Sequence, residues 1–166
     1  MIATLKNSLD LGYKDMGDAH QLPTRTYEVA AGATQINPGE PVVIDSQSPT
    51  RVIRAADGAG VIATDVIVGI SAGYSTQTAD TAGTVEVFTY ALNTVMRGRP
   101  KAAFANKAAA DAVIGKRVVF DLTSGKYTID AAATSADTNG VIIVAADAVS
   151  DMVDFKLDPA LANYIA

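Results

Sequence analysis

Short runs of alternating apolar and polar residues, cut at regular intervals by Gly- and Pro-centred turns, predict an all-β fold. Two further observations agree. Val and Thr supply 17 and 16 of the 166 residues, more than helices favour, and only one stretch has helical character. The expected architecture is a β-sandwich or small β-barrel with one short helix and an extended N-terminal arm.

The elements follow in chain order. Residues 1–23 have no clean period: Leu5, Leu9, Leu11, Tyr13, Met16 and Leu22 are scattered among Gly, Asp and Lys, and Pro23 closes the stretch. This reads as an arm ahead of a single β-rich domain spanning 24–166. Disordered tails are usually poorer in apolar residues, so Leu9, Leu11, Tyr13 and Leu22 are candidate docking contacts. Residues 24–31 alternate as a mixed strand. Asn37-Pro38-Gly39-Glu40 is a strong turn signal, because Pro fixes φ and Gly accepts a positive one. Strands are expected at 41–45 and 50–56, with a turn at 57–60, then a β-branched run at 61–71 interrupted by Asp65 and Gly69. A polar loop at 77–83 leads to an alternating strand at 84–92. Residues 101–114 are Ala-rich, follow Pro100 and stop at Gly115, which predicts a helix. Strands at 116–122 and 126–130 flank Thr123-Ser124-Gly125 as a hairpin. A small-residue loop at 131–139, a buried strand at 140–146 and an alternating strand at 151–157 complete the pattern.

Composition narrows the chemistry. The chain has no Cys and one His, which excludes disulfide scaffolds, thiolate metal sites, thiol catalysis and a two-His metal face within one chain. A net charge of −5 argues against a general nucleic-acid or membrane-surface binder. Residues 141–146 form the longest apolar run, far short of the roughly 20 needed to span a bilayer. The first twenty residues carry Lys6 and Asp10 where a secretory signal would be apolar, so a protein that stays in a cytoplasm, or in a particle assembled there, is expected. Hydrophobic residues make up 49%, but 30 residues are Ala and aromatics are only 6%, so the core is thinner than the total suggests. Thin cores often gain stability from association with further copies.

Few motifs carry chemistry. Gly58-x-Gly60-x-x-Ala63 matches a loose dinucleotide fingerprint, but the residues after it are β-branched where a phosphate-binding helix must begin, so a turn is the better reading. Asp121, Asp130, Asp137, Asp147, Asp151 and Asp154 read as markers of turns or exposed strand faces. They lack calcium-loop spacing, and no Trp accompanies them as a sugar platform. No catalytic, metal-ligating or cofactor-binding residue is assigned. Arg97-Gly98-Arg99-Pro100-Lys101 looks like the core of an AT-hook, in which both Arg enter an A·T minor groove. The motif is single and lies in an acidic chain. Arg97, Arg99 and Lys101 are therefore better read as a loop whose cations meet carboxylates of this chain or of a partner.

Taken in order, NPGEPVVID, VIVGISAGY, AGTVEVFTY and GVIIVAADAVSDMVDFKL resemble the small capsid decoration, or cement, proteins of tailed bacteriophages. The resemblance covers roughly residues 24–157 and lies in composition and strand order. It implies a non-enzymatic virion protein without cofactors. Such a protein would self-associate, as a trimer in preference to a dimer, and would clamp neighbouring major capsid subunits on the outer surface of the head. The arm and the helix at 101–114 depart from that pattern. The alternatives are another virion part, such as a head-fibre base or tail tube subunit, or an AT-hook-like DNA-binding accessory protein.

Overall fold

The computed structural model describes residues 4–5, 11–15, 24–55, 61–62, 67–89, 95–134 and 141–157. Strand formation dominates them, and the strands divide into two assemblies. The first is a closed five-stranded barrel of β3 (Thr24–Val29), β4 (Pro41–Asp45), β5 (Ser48–Arg54), β7 (Ile67–Ser71) and β8 (Gly83–Thr89), in the order β3-β5-β4-β7-β8. Closure is completed by antiparallel pairing of β8 with β3 and by one parallel step between β3 and β5. The second is an eight-stranded sheet. Its path runs β1 (Thr4–Leu5), β2 (Leu11–Asp15), β9 (Val95–Gly98), β13 (Met152–Leu157), β12 (Val141–Asp147), β10 (Arg117–Thr123) and β11 (Lys126–Thr134), with β6 (Val61–Ile62) also paired to β10.

Both sandwich and barrel expectations are thus realised in part, since a barrel packs against a sheet. Alternation within a strand explains how. Successive side chains point to opposite faces. In β4, Val42 enters the barrel core with Val29, Ile36, Val52, Val85 and Val87, while Val43 joins the core shared with the sheet. In β7 a bulge against β4 interrupts the alternation, so Val68 faces inward while both Ile67 and Ile70 face the sheet. Both faces of β7 are covered, so all five residues are buried and the polar–apolar rhythm is lost. The shared core is completed by Met96, Phe120, Tyr127, Ile129, Ile143 and Phe155, with Phe120 and Phe155 edge to face at 5.6 Å.

Two turns form as their residues require. Pro38 and Gly39 make a type II turn, with Gly39 at φ 85° and the Glu40 N–H donating to the Asn37 carbonyl at 3.2 Å. The β10–β11 hairpin closes on Ser124 and Gly125, both at positive φ, the hand that continues the strand twist. Gly69 answers a different need. A Cβ there would lie 2.2 Å from the Phe88 carbonyl oxygen, so only a hydrogen fits between β7 and β8.

A buried network ties barrel to sheet. The Glu40 carboxylate accepts from the Asn37 backbone N–H and side-chain amide, both at 2.9 Å, and lies 3.5 Å from Arg54 Nε. Arg54 Nε donates to Tyr127 Oη at 3.0 Å and its guanidinium sits 5.4 Å from the Tyr127 ring centre. The Tyr127 hydroxyl donates to the Ala55 carbonyl.

Several expectations are corrected. The helix is not 101–114 but α1 (Lys107–Asp111), because tertiary partners claim the earlier backbone. The Lys101 N–H donates to the Ile129 carbonyl, the Phe104 N–H donates to Asp151 Oδ1, and Asn106 caps α1 by accepting from the Ala109 N–H at 2.9 Å. The run 61–71 is two strands in different assemblies. The loop expected from 131 is strand as far as Thr134. Within the segment read as an extended arm, β2 pairs with β1 and lies antiparallel on β9, which overturns nothing in that reading. The turn at 57–60, including the Gly58-x-Gly60 motif, lies outside the described residues.

Candidate interface on the outer face of the long sheet

Facing residues set two different surfaces on the long sheet. Met96, Phe155, Ile143, Phe120 and Ile129 point to the shared core. Their chain neighbours Arg97, Asp154, Asp121 and Asp130 take the other face by alternation. The register then pairs opposite charges. Arg97 stands directly across from Asp154, on β9 and β13. Arg97 Nε donates to Asp154 Oδ1 at 2.7 Å and Nη2 donates to Oδ2 at 3.2 Å, a two-pronged contact. Asp154 is buried, and its hydrogen bonds raise the Arg97 pKa further above its ordinary value.

A second cluster forms on β10 and β11. Asp121 faces Thr128, so Asp130 is its diagonal neighbour on the same side of the sheet. Two carboxylates this close repel unless a cation lies between them. Lys101 supplies it. Its Nζ lies 2.8 Å from Asp121 Oδ1 and 3.0 Å from Asp130 Oδ2, and Thr123 Oγ1 donates to Asp121 Oδ2 at 2.6 Å. Hydrogen bonding to Asp121 and then Asp130 holds the Lys101 ammonium above its ordinary pKa. The backbone delivers Lys101 here through a parallel bridge between Pro100 and Ile129, in which the Ile129 N–H donates to the Arg99 carbonyl at 3.0 Å.

The predicted contact residues are therefore split. Arg97 lies in strand β9 and not in a loop, and Arg99 is exposed beside it. Lys101 belongs to the second cluster. Leu11 and Tyr13 are placed by backbone register, with Gly12 opposite Arg97 and Tyr13 opposite Met96. Leu9 and Leu22 lie outside the described residues. The carboxylates Asp121, Asp130 and Asp154 were expected at turns or on exposed strand faces, and all three are buried. Their signal in the sequence was an acidic residue flanked by apolar ones inside a strand, as in VVFDL and MVDFKL. A carboxylate in such a setting calls for a cation from elsewhere in the fold.

This arrangement places Arg97 and Gly98 of the Arg-Gly-Arg-Pro segment in strand β9 and engages its first guanidinium internally. Among the described residues, no group of three or more His, Cys, Asp or Glu side chains is placed to hold a metal ion. No protein-family model, curated protein or solved structure matches the chain.

Proposed function

We propose that the chain is a structural, non-enzymatic virion protein, a decoration or cement protein that binds major capsid protein on the outer surface of a phage head and self-associates there. The observation that carries this reading is strand addition at β9. Residues 11–15, from the segment ahead of the barrel, lie antiparallel on β9, between it and the edge strand β1. Backbone pairing of that kind is a general docking mode: main-chain bonds give affinity and alternate side chains give specificity. A segment able to complete its own sheet is suited to bridging subunits, and many symmetric copies make each such contact effective through avidity.

The ion pairs also favour this reading over DNA binding. Minor-groove insertion needs extended Arg side chains presented to phosphate-lined walls. Arg97 holds a buried carboxylate and Lys101 holds two, so engaging DNA would break those pairs. The direct test is sedimentation of decoration-free heads with the purified protein. Recovery of the protein with the heads supports the proposal. Retention in the supernatant at micromolar concentration, together with a mobility shift on A·T-rich duplex at about 150 mM salt, would replace it with the DNA-binding reading.

A further inference from the structure

We infer that Lys101 and Asp121 are placed to condense into an intramolecular isopeptide bond, a covalent staple over the outer face of the β10–β11 hairpin. The groups that such a reaction needs meet here. The nucleophile is Lys101 Nζ, 2.8 Å from Asp121 Oδ1. That contact is short, yet Asp121 Oδ1 is buried and has no aligned hydrogen-bond donor. Nζ directs its aligned hydrogen bond to Asp130 Oδ2 instead, at 3.0 Å. The two carboxylates therefore differ in role. Asp130 stands where a base receives the proton of the nitrogen, and Asp121 where a carboxyl group is approached by it.

The surroundings hold the Asp121 carboxyl ready. Its other oxygen, Oδ2, accepts from Thr123 Oγ1 at 2.6 Å. Thr128 stands directly across from Asp121 on the same face, and its buried hydroxyl has no hydrogen-bond partner. One donor is thus in place and a second is unused where negative charge develops in a tetrahedral intermediate. Asp130 is fixed as well, because its Oδ1 accepts from the Ala132 N–H at 3.0 Å. With Asp121 1% exposed, the reacting groups are held together instead of meeting by diffusion.

The step balances within the cluster. Lys101 passes a proton to Asp130, and the free amine attacks Asp121 Cγ to form the C–N bond. The carbonyl electron pair moves onto Oδ2 and returns as the Cγ–Oδ1 bond breaks. Two protons leave Nζ in all. Asp130 relays both to Oδ1, which departs as water, and Asp130 ends ionised as it began. The paired charges of Lys101 and Asp121 become a neutral amide, so no further reactant is needed. The Lys101 side chain is 43% exposed, which gives the water a way out. Hydrogen bonding holds the ammonium above its ordinary pKa, so free amine is scarce and the bond forms slowly, after folding. Pro100 bridges Ile129, and Ile129 pairs with Phe120, so the bond joins the segment after β9 to β10 across β11. It does not depend on the capsid proposal.

Mass spectrometry of the denatured full chain, fresh and after extended incubation of the folded protein at neutral pH, tests it. The expected result is a species one water lighter than the sequence requires, growing with time, and a branched peptide in its digest that joins Lys101 to Asp121. Lys101→Met and Asp121→Ala abolish the branched peptide. Asp130→Asn, in a protein with the circular dichroism of the unsubstituted chain, slows its formation by about 100-fold or more. A chain that keeps its full sequence mass throughout overturns the inference, and this reading needs no variant to fold. Water lost without a branched peptide, as cyclic imide formation gives, also overturns it. So does a branch at Asp130 in place of Asp121, or an unchanged rate in folded Asp130→Asn.

Discussion

Tyr127 shows what a single residue does in this fold. Its ring fills the shared core, and its hydroxyl joins the Ala55 carbonyl of the barrel to Arg54. Removing that hydroxyl leaves a buried carbonyl without its donor, so Tyr127→Phe should destabilise the chain by about 1–3 kcal/mol, read as a lower denaturant midpoint. The same site sets an alkaline limit. Burial pushes the Tyr127 phenol well above its ordinary value, more than Arg54 pulls it back. An unfolded Tyr ionises near about pH 10, and there the folded state retains its proton. Stability from this group is therefore intact below about pH 10 and falls as pH rises towards the folded pKa. The Tyr127→Phe variant should lose this alkaline slope; an unchanged slope would assign it to other groups.

The pair Arg97–Asp154 makes a second residue-scale prediction. Arg97→Met leaves Asp154 buried without its cation and should cost about 1–3 kcal/mol. The double variant with Asp154→Leu should cost less than the sum of the two single changes, giving a coupling energy of about 1 kcal/mol or more in a denaturation cycle. Additive effects would show that the pair contributes nothing by its contact. The carboxylate half of this site was hard to read in the sequence. MVDFKL alternates cleanly, so Asp154 falls on the face opposite Val153 and Phe155, as an exposed residue would. It is buried because β13 lies inside the sheet with Arg97 above it, and that neighbour comes from 57 residues away.

At the scale of elements, local turn chemistry was legible and long-range pairing was not. The strand Pro41–Asp45, the Asn37–Glu40 turn and the hairpin at Ser124-Gly125 all follow from residues within a few positions of one another. Residues 101–106 have the composition of a helix, yet Ile129 and Asp151 take their backbone N–H groups and the helix begins only after Asn106. The strand β9 carries no alternation that marks it, since Arg-Gly-Arg-Pro reads as loop; pairing with β13 and β2 on its two sides makes it a strand. This gives an element-scale test. Hydrogen exchange should show the β9 amides that face β2 protected in the full chain and exchanging faster by tenfold or more in the 24–166 fragment, while the barrel amides stay unchanged. Equal protection in both would remove the arm from the sheet and from the docking mechanism.

The whole molecule joins a barrel and a sheet through one core, and its composition now has a location. Among the described residues the core is mainly Val and Ile with Phe120, Phe155 and Tyr127, whereas of the many Ala only Ala55 and Ala110 are buried. Alanines at 102, 103, 105, 109 and 132 line an open groove between the 101–113 segment and β11. Among the described residues the Ala content thus lies more at the surface than in the core. The all-β class was legible from alternation; the division into two assemblies was not, because β4 and β7 are covered on both faces and give no sign of which face meets which partner.

The proposed clamp is tested most directly by the temperature at which DNA-filled heads break open, measured with and without added protein. The account predicts that decoration-free heads gain resistance as the protein is titrated, and that the gain saturates at a fixed number of copies per capsomer. Heads that break at the same temperature at every protein concentration would contradict it.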